Sequence, residues 1–236
     1  MKYNRILLKL SGESLMGDDG YGINYGAVSH FASEIMSAVA EGVQVGVVIG
    51  GGNIFRGVNG ATKGFDRRQG DHMGMLATII NSMALQGVLE EKGAKVKVLT
   101  SMAIEGMGEK IYFKNAVRYL EEGYVVIFGG GTGNPFFTTD TGAALRAVEI
   151  KADLLLKGTR VDGIYTADPE KDPTATKYTT ISYTEAYQKH LKIMDLTAFA
   201  LCQDNDVKLC VYNANQSGNL LKVLRDEPIG TFVSNQ

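Results

Sequence analysis

The sequence predicts an α/β fold: a three-layer αβα sandwich around a mostly parallel central sheet. Two observations carry that expectation. Short apolar runs of strand length alternate with longer segments of helical period. Three of those runs end in glycine turns, at the carboxyl ends where such sheets bind ligands. No linker, repeat or low-complexity tract interrupts the 236 residues, so one domain over 1–236 is expected.

Asn4 to Leu10 is an apolar run with the length of a buried strand. Tyr25 to Ala40 spaces Val28, Phe31, Ile35, Met36 and Val39 as a helix does, and Glu41-Gly42 ends it. Val43 to Ile49 is the next strand. Asp71 to Lys92 reads as a long helix with Met75, Leu76, Ile79, Met83 and Leu89 on one side, stopped by Gly93. A strand over Lys95 to Leu99, a helix over Phe113 to Glu122 and a strand over Tyr124 to Phe128 follow. Thr139 to Lys151 is helical again, and Asp153 to Leu156 is a short buried strand. Beyond Lys157 the rhythm loosens into a turn-rich stretch from Gly158 to Pro173. Weaker patterns place strands at Tyr178 to Ile181, Lys208 to Tyr212 and Thr231 to Val233. Helices are expected at Tyr183 to Gln188, Asp195 to Gln203 and Asn219 to Arg225. This last part is expected to form a lobe beside the first.

Charge is nearly balanced at a formal −2, which argues against a nucleic-acid-binding surface. Cys202 and Cys210 match no zinc or redox spacing and lie in apolar patterns, as buried free thiols do. His30, His72 and His190 have no metal-ligand spacing. No apolar run approaches the roughly 20 residues of a membrane helix. Lys9 breaks the first apolar run, so no secretory leader is expected and a cytoplasmic protein is.

The chemistry sits in the glycine turns. They are Ser11-Gly12, Gly50-Gly51-Gly52, and Gly129-Gly130-Gly131, the last running on into Thr132-Gly133-Asn134-Pro135-Phe136-Phe137-Thr138-Thr139-Asp140. Glycine lets backbone N–H groups approach a ligand closely, and N–H groups near a cation suit phosphate. The Walker pattern and G-x-G-x-x-G are both absent, which argues against P-loop kinases, protein kinases and dinucleotide oxidoreductases. What remains is a crevice shared by separate turns. Lys9 interrupts an apolar strand just before Ser11-Gly12; it either reaches phosphate oxygens at the sheet's edge or points to solvent, and its position favours phosphate. Arg56, four residues beyond its triplet, either clamps a phosphate with its planar fork of donors or is a solvated surface arginine, and the glycine context favours the clamp. Asp71 either caps a helix or holds a sugar hydroxyl, and local sequence favours the cap. Thr138, Thr139 and Asp140 all suit a helix start, whose free N–H groups attract anions; Asp140 has the further options of orienting a lysine or holding a metal. Asp168 before Pro169 suits a turn and Asp195 a cap.

The chain resembles the bacterial-type uridylate kinases of the amino-acid kinase superfamily along essentially its whole length. The resemblance is carried by ILLKLSGE (Ile6 to Glu13), VGVVIGGGNIFRG (Val45 to Gly57), GDHMGMLA (Gly70 to Ala77), TGNPFFTTD (Thr132 to Asp140), VDGIYTADPEKDP (Val161 to Pro173) and KIMDLT (Lys192 to Thr197). It implies the amino-acid kinase fold and transfer of a phosphoryl group from ATP to UMP with Mg²⁺. It also implies that Lys9, Leu10, Ser11, Gly12, Gly52 and Arg56 meet ATP phosphates, and that Thr159, Tyr165 and Asp168 line the adenine and ribose. Gly51, Asp71 and the run Thr132, Gly133, Asn134, Pro135, Phe136, Phe137, Thr138 and Thr139 would hold UMP. Lys9, Arg56 and Asp140 would be the catalytic set, with Asp140 orienting Lys9 and supporting Mg²⁺. UMP and the phosphates would fall to the part up to about residue 157, and ATP to 158–236. Such kinases are homohexamers activated by GTP and inhibited by UTP. The loop Gly17, Asp18, Asp19, Gly20, Tyr21 and Gly22 resembles their GTP segment, whereas Gln86 and Glu90 stand where some members carry basic residues. Neither a nucleic acid nor a membrane is an expected partner.

Overall fold

The computed structural model describes residues 1–55, 64–169 and 171–235. Among them, nine strands form one sheet: β1 Arg5–Leu10, β2 Gln44–Ile49, β3 Val96–Thr100, β4 Glu109–Lys110, β5 Val125–Gly129, β6 Leu154–Thr159, β7 Thr180–Ser182, β8 Leu209–Asn213 and β9 Thr231–Ser234. The helices are α1 Tyr25–Ala40, α2 Arg67–Glu91, α3 Phe113–Glu121, α4 Thr139–Glu149, α5 Tyr183–Gln188, α6 Leu196–Asp204 and α7 Asn219–Leu224. The strand order is β4-β3-β5-β2-β1-β6-β8-β9-β7, and every pairing is parallel except β8 with β9. The expected αβα sandwich is present. The short edge strand β4 escaped the sequence reading because two residues carry no period.

Period-two alternation decides which face each strand residue serves. Ile6, Leu8 and Leu10 of β1 pack with α1, α2 and α7 on one face, whereas Leu7 packs with α3, α4, α5 and α6 on the other. Lys9 shares Leu7's parity and so points toward α4. Leu154 and Leu156 of β6 belong to the first face and Leu155 to the second, so Lys157 shares the side of Lys9. The register sets Lys9 directly beside Lys157.

Three expectations need correction. Leu76 and Met83, expected on one side of the long helix with Met75, Ile79 and Leu89, are exposed while those three are buried. β1 is the fifth strand of nine, so Lys9 lies at the carboxyl end of a central strand and not at an edge of the sheet. The long helix begins at Arg67, because the side chain of Asp66 accepts hydrogen bonds from the N–H groups of Arg68 and Gln69. Asp71 therefore stands a turn inside the helix and does not cap it. Both cysteines are free and buried, as expected. No helix among the described residues is long and apolar enough to cross a membrane.

Candidate active site

The first two glycine turns are built against each other. Gly50 N–H donates to the carbonyl of Leu10 at 3.0 Å. A Cβ on Gly12 would stand 2.6 Å from Asn53 Oδ1 and nearer still to Gly50 O, so only glycine permits this approach. A fully buried amide pair secures the second turn. Asn81 of α2 donates to Gly50 O and to Asn53 Oδ1, each at 2.7 Å, and Asn53 donates to Gly22 O at 2.7 Å. The third turn is held by side-chain hydroxyls: Gly130 N–H donates to Thr78 Oγ1 at 2.7 Å, and Ser101 donates to Gly130 O at 2.6 Å.

The three turns open onto one cleft of about 690 Å³. Lys9, Ser11, Gly12, Gly51, Gly52, Asp71, Thr132, Asn134, Phe137, Thr138, Thr139 and Asp140 all line it. Gly133, Pro135 and Phe136 belong to the same loop, and Leu10 is buried in the sheet. Asp71 braces that loop. Its Oδ2 accepts the N–H of Phe136 at 2.8 Å, with φ of Phe136 at 74°, and its carboxylate pairs with Arg67 at 3.0 Å. Arg56 lies outside the described residues.

Where the cleft deepens, Asp140 is gripped by two cations. Lys9 Nζ lies 2.8 Å from Oδ1 and Lys157 Nζ 2.6 Å from Oδ2, all three side chains being largely buried. Burial pushes the Asp140 carboxyl up, but the charges of Lys9 and Lys157 outweigh it and hold the group below the usual carboxylate range. Burial is the largest influence on Lys157 and lowers its pKa, with Asp140 opposing and Lys9 reinforcing. Thr138 caps α4, its Oγ1 accepting the N–H groups of Asp140 and Thr141, and so fixes the backbone that carries the carboxylate.

A second cavity of about 630 Å³ lies beyond Lys157 and holds Thr159, Tyr165 and Asp168 in its lining, beside Ile164, Leu191 and Val211. Tyr165 donates to Asp162 at 2.6 Å. The carbonyl of Asp168 accepts the N–H groups of Lys171 and Asp172, the turn its sequence suggests. The loop Gly17–Gly22 stands apart from both cavities and is tied to the site through Gly22 and Asn53, whose backbones pair at 3.0 Å. Gln86 donates to Glu90 at 2.9 Å on an exposed turn of α2.

Sequence reasoning missed Lys157 and saw in Asp195 only a cap. Asp195 does cap α6, accepting Ala198 N–H at 3.0 Å, but its carboxylate also accepts the hydroxyls of Thr138 and Thr141. It thereby locks α6 to the start of α4. A usable pattern existed for Lys157. Leu154-Leu155-Leu156-Lys157 repeats the apolar-strand-then-lysine form of Leu7-Leu8-Lys9, and a lysine so placed needs a carboxylate or an anion.

A model of the amino acid kinase family matches residues 4–213. A uridylate kinase of Porphyromonas gingivalis is 62% identical over 233 residues, which cover 99% of this chain and 98% of that protein. A uridylate kinase of Parabacteroides distasonis is 58% identical over 234 residues, 99% of each chain. Among solved structures, UMP kinase from Bacillus anthracis superposes with a TM-score of 0.97 at 38% identity, covering 100% of this chain and 98% of that one. UMP kinase from Ureaplasma parvum gives 0.94 at 36% identity, covering 99% and 100%.

Proposed function

Because the chain belongs to the amino acid kinase family, we propose that it is a UMP kinase, moving the γ-phosphoryl group of ATP to UMP in pyrimidine nucleotide synthesis. The observation that carries this reading is the Lys9–Asp140–Lys157 cluster at the meeting of two cavities, each roomy enough for a nucleotide. UMP is assigned to the cleft of Asp71 and the Thr132–Thr139 run, and the adenosine of ATP to the cavity of Thr159, Tyr165 and Asp168. On this assignment acceptor and phosphates belong to the part up to about residue 157 and the donor base to 158–236.

An oxygen of the UMP phosphate attacks the γ-phosphorus, the bond to the β–γ bridging oxygen breaks, and its electron pair leaves with ADP. That oxygen is already anionic, so no general base is required. Catalysis is positioning plus charge stabilisation of a loose transition state. Lys9 and Lys157 supply positive charge to the moving group, and Asp140 keeps the two ammonium groups from driving each other apart. Arg56 is proposed as a further cation, and the N–H groups at Gly12, Gly51 and Gly52 as anion donors.

Among the described residues no cluster of three or more His, Cys, Asp or Glu gathers, and Asp140 already faces two lysines. That donor set fits Mg²⁺ carried in on nucleotide phosphates, where it would neutralise charge on the β- and γ-oxygens. A homohexamer in the cytoplasm, with GTP as activator through Gly17–Gly22 and UTP as inhibitor, completes the reading.

The test is ADP release with ATP and Mg²⁺ against UMP, CMP and dUMP, with acetylglutamate, aspartate and carbamate as rival acceptors. Turnover is expected with UMP alone, and near-total loss in Lys9→Ala and Arg56→Ala that remain folded. Turnover of one of the acids, with UMP inert, would overturn the assignment.

A further inference from the structure

Lys157, Lys192 and Ile193 line both the 630 Å³ cavity and a smaller cleft of about 480 Å³ over Lys9 and Asp140. Any chain of phosphates running from the first space to the transfer point passes these residues. Lys157 is committed to Asp140 and to the carbonyl of Ile193. Lys192 is exposed and makes no ion pair or hydrogen bond with another described residue.

Its backbone, in contrast, is anchored on the site. The carbonyl of the next residue, Ile193, accepts from Lys157, and two residues further on Asp195 accepts from Thr138 and Thr141. A free cation on a flexible four-carbon stem is thus mounted on a segment bolted to the catalytic cluster. Charge balance asks for one. Two ammonium groups and one carboxylate leave the cluster a single net positive charge, and Arg56 and Mg²⁺ as proposed above would add three, still fewer than the negative charges of a triphosphate and a monophosphate meeting there. The nearest lysine along the chain, Lys189, already pairs with Glu185 at 2.6 Å and with the hydroxyl of Tyr178.

We propose that Lys192 is a phosphate-binding residue for the donor nucleotide, closing on its phosphate chain between the adenosine cavity and the transfer cleft. This rests on the assignment of ATP to that cavity. It makes the segment from Lys192 to Asp195 a single clamp, fixed by Asp195 and completed by the ammonium of Lys192.

The experiment compares the full-length chain with Lys192→Ala and Lys192→Arg, varying ATP at saturating UMP and then UMP at saturating ATP. Because the side chain is exposed and unpaired, melting temperatures should coincide. The alanine variant should raise KM for ATP, or lower kcat/KM for ATP, by about 10- to 100-fold, as for a lost hydrogen bond to a charged group. KM for UMP should stay within about twofold, and arginine should recover most of the loss. Equilibrium binding adds a readout that a merely structural role would not move: the alanine variant should lose affinity for ADP and retain it for adenosine. An active wild type with unchanged ATP kinetics in Lys192→Ala overturns this inference alone, as does equal weakening of ADP and adenosine. A wild type inert toward UMP overturns the parent assignment, and ADP binding then still decides the role of Lys192.

Discussion

At the scale of single residues, the site is governed by what Asp140 does to its neighbours. Two lysines from adjacent central strands would repel each other in a largely buried space, and the carboxylate between them makes the arrangement stable. Removing one member of a buried ion cluster strands the others, at a cost of about 3–5 kcal/mol. Asp140→Asn is expected to lose stability on that order at neutral pH, measured by urea unfolding. The sign with pH follows from the depressed carboxyl. Its contribution is complete above the ordinary value of 3.8 and fades as pH falls through the lower folded value. The gap between wild type and Asp140→Asn should therefore close below pH 3.8, and a gap that persisted there would locate the effect elsewhere. Lys157→Met keeps most of the volume and removes the charge. Turnover should fall about 10²- to 10³-fold, as for loss of one donor at developing charge.

At the scale of elements, caps place the functional side chains. Thr138 starts α4 and thereby sets Asp140; Asp66 starts α2 and sets Asp71 one turn further on, facing the loop at Phe136. Asn24 does the same for α1, accepting Ala27 N–H at 3.1 Å while donating to Asp19 in the Gly17–Gly22 loop at 2.9 Å. Asn24→Ala should cost about 1 kcal/mol, the usual worth of such a cap. For a chain of this size that lowers the melting temperature by roughly 2–4 °C. Basal turnover should be preserved, because Asn24 touches neither cavity. A much larger loss in activity than in stability would mean that the loop itself reaches the cleft.

At the scale of the whole molecule, α2 presents Leu76, Ile80 and Met83 to solvent at 47%, 48% and 40% exposure. Their spacing puts them on one stripe of a helix whose other face fills the core. A stripe of that kind fits the multi-copy assembly proposed for this chain. Ile80→Glu is expected to shift sedimentation to a smaller species at the same protein concentration, with the monomer fold retained. An unchanged sedimentation coefficient would place the subunit contact on another surface.

Most of the fold was legible in the sequence, because buried parallel strands and amphipathic helices write their own periods into the chain. The turns at Gly12, Gly51 and Gly131 were legible for a similar reason, since glycine runs at strand ends have few other uses. What no linear pattern determined was which charges meet. Lys9, Asp140 and Lys157 are far apart in the sequence and share a site only through parallel register and pleat parity. Asp71 likewise looks like a cap from its neighbours alone, and becomes a brace for the Phe136 loop only once Asp66 has begun the helix a turn earlier. Periodicity is local and survives in the letters, whereas an ion pair exists only between side chains that folding has brought within a few ångströms, so the charged site was the tertiary structure's to decide.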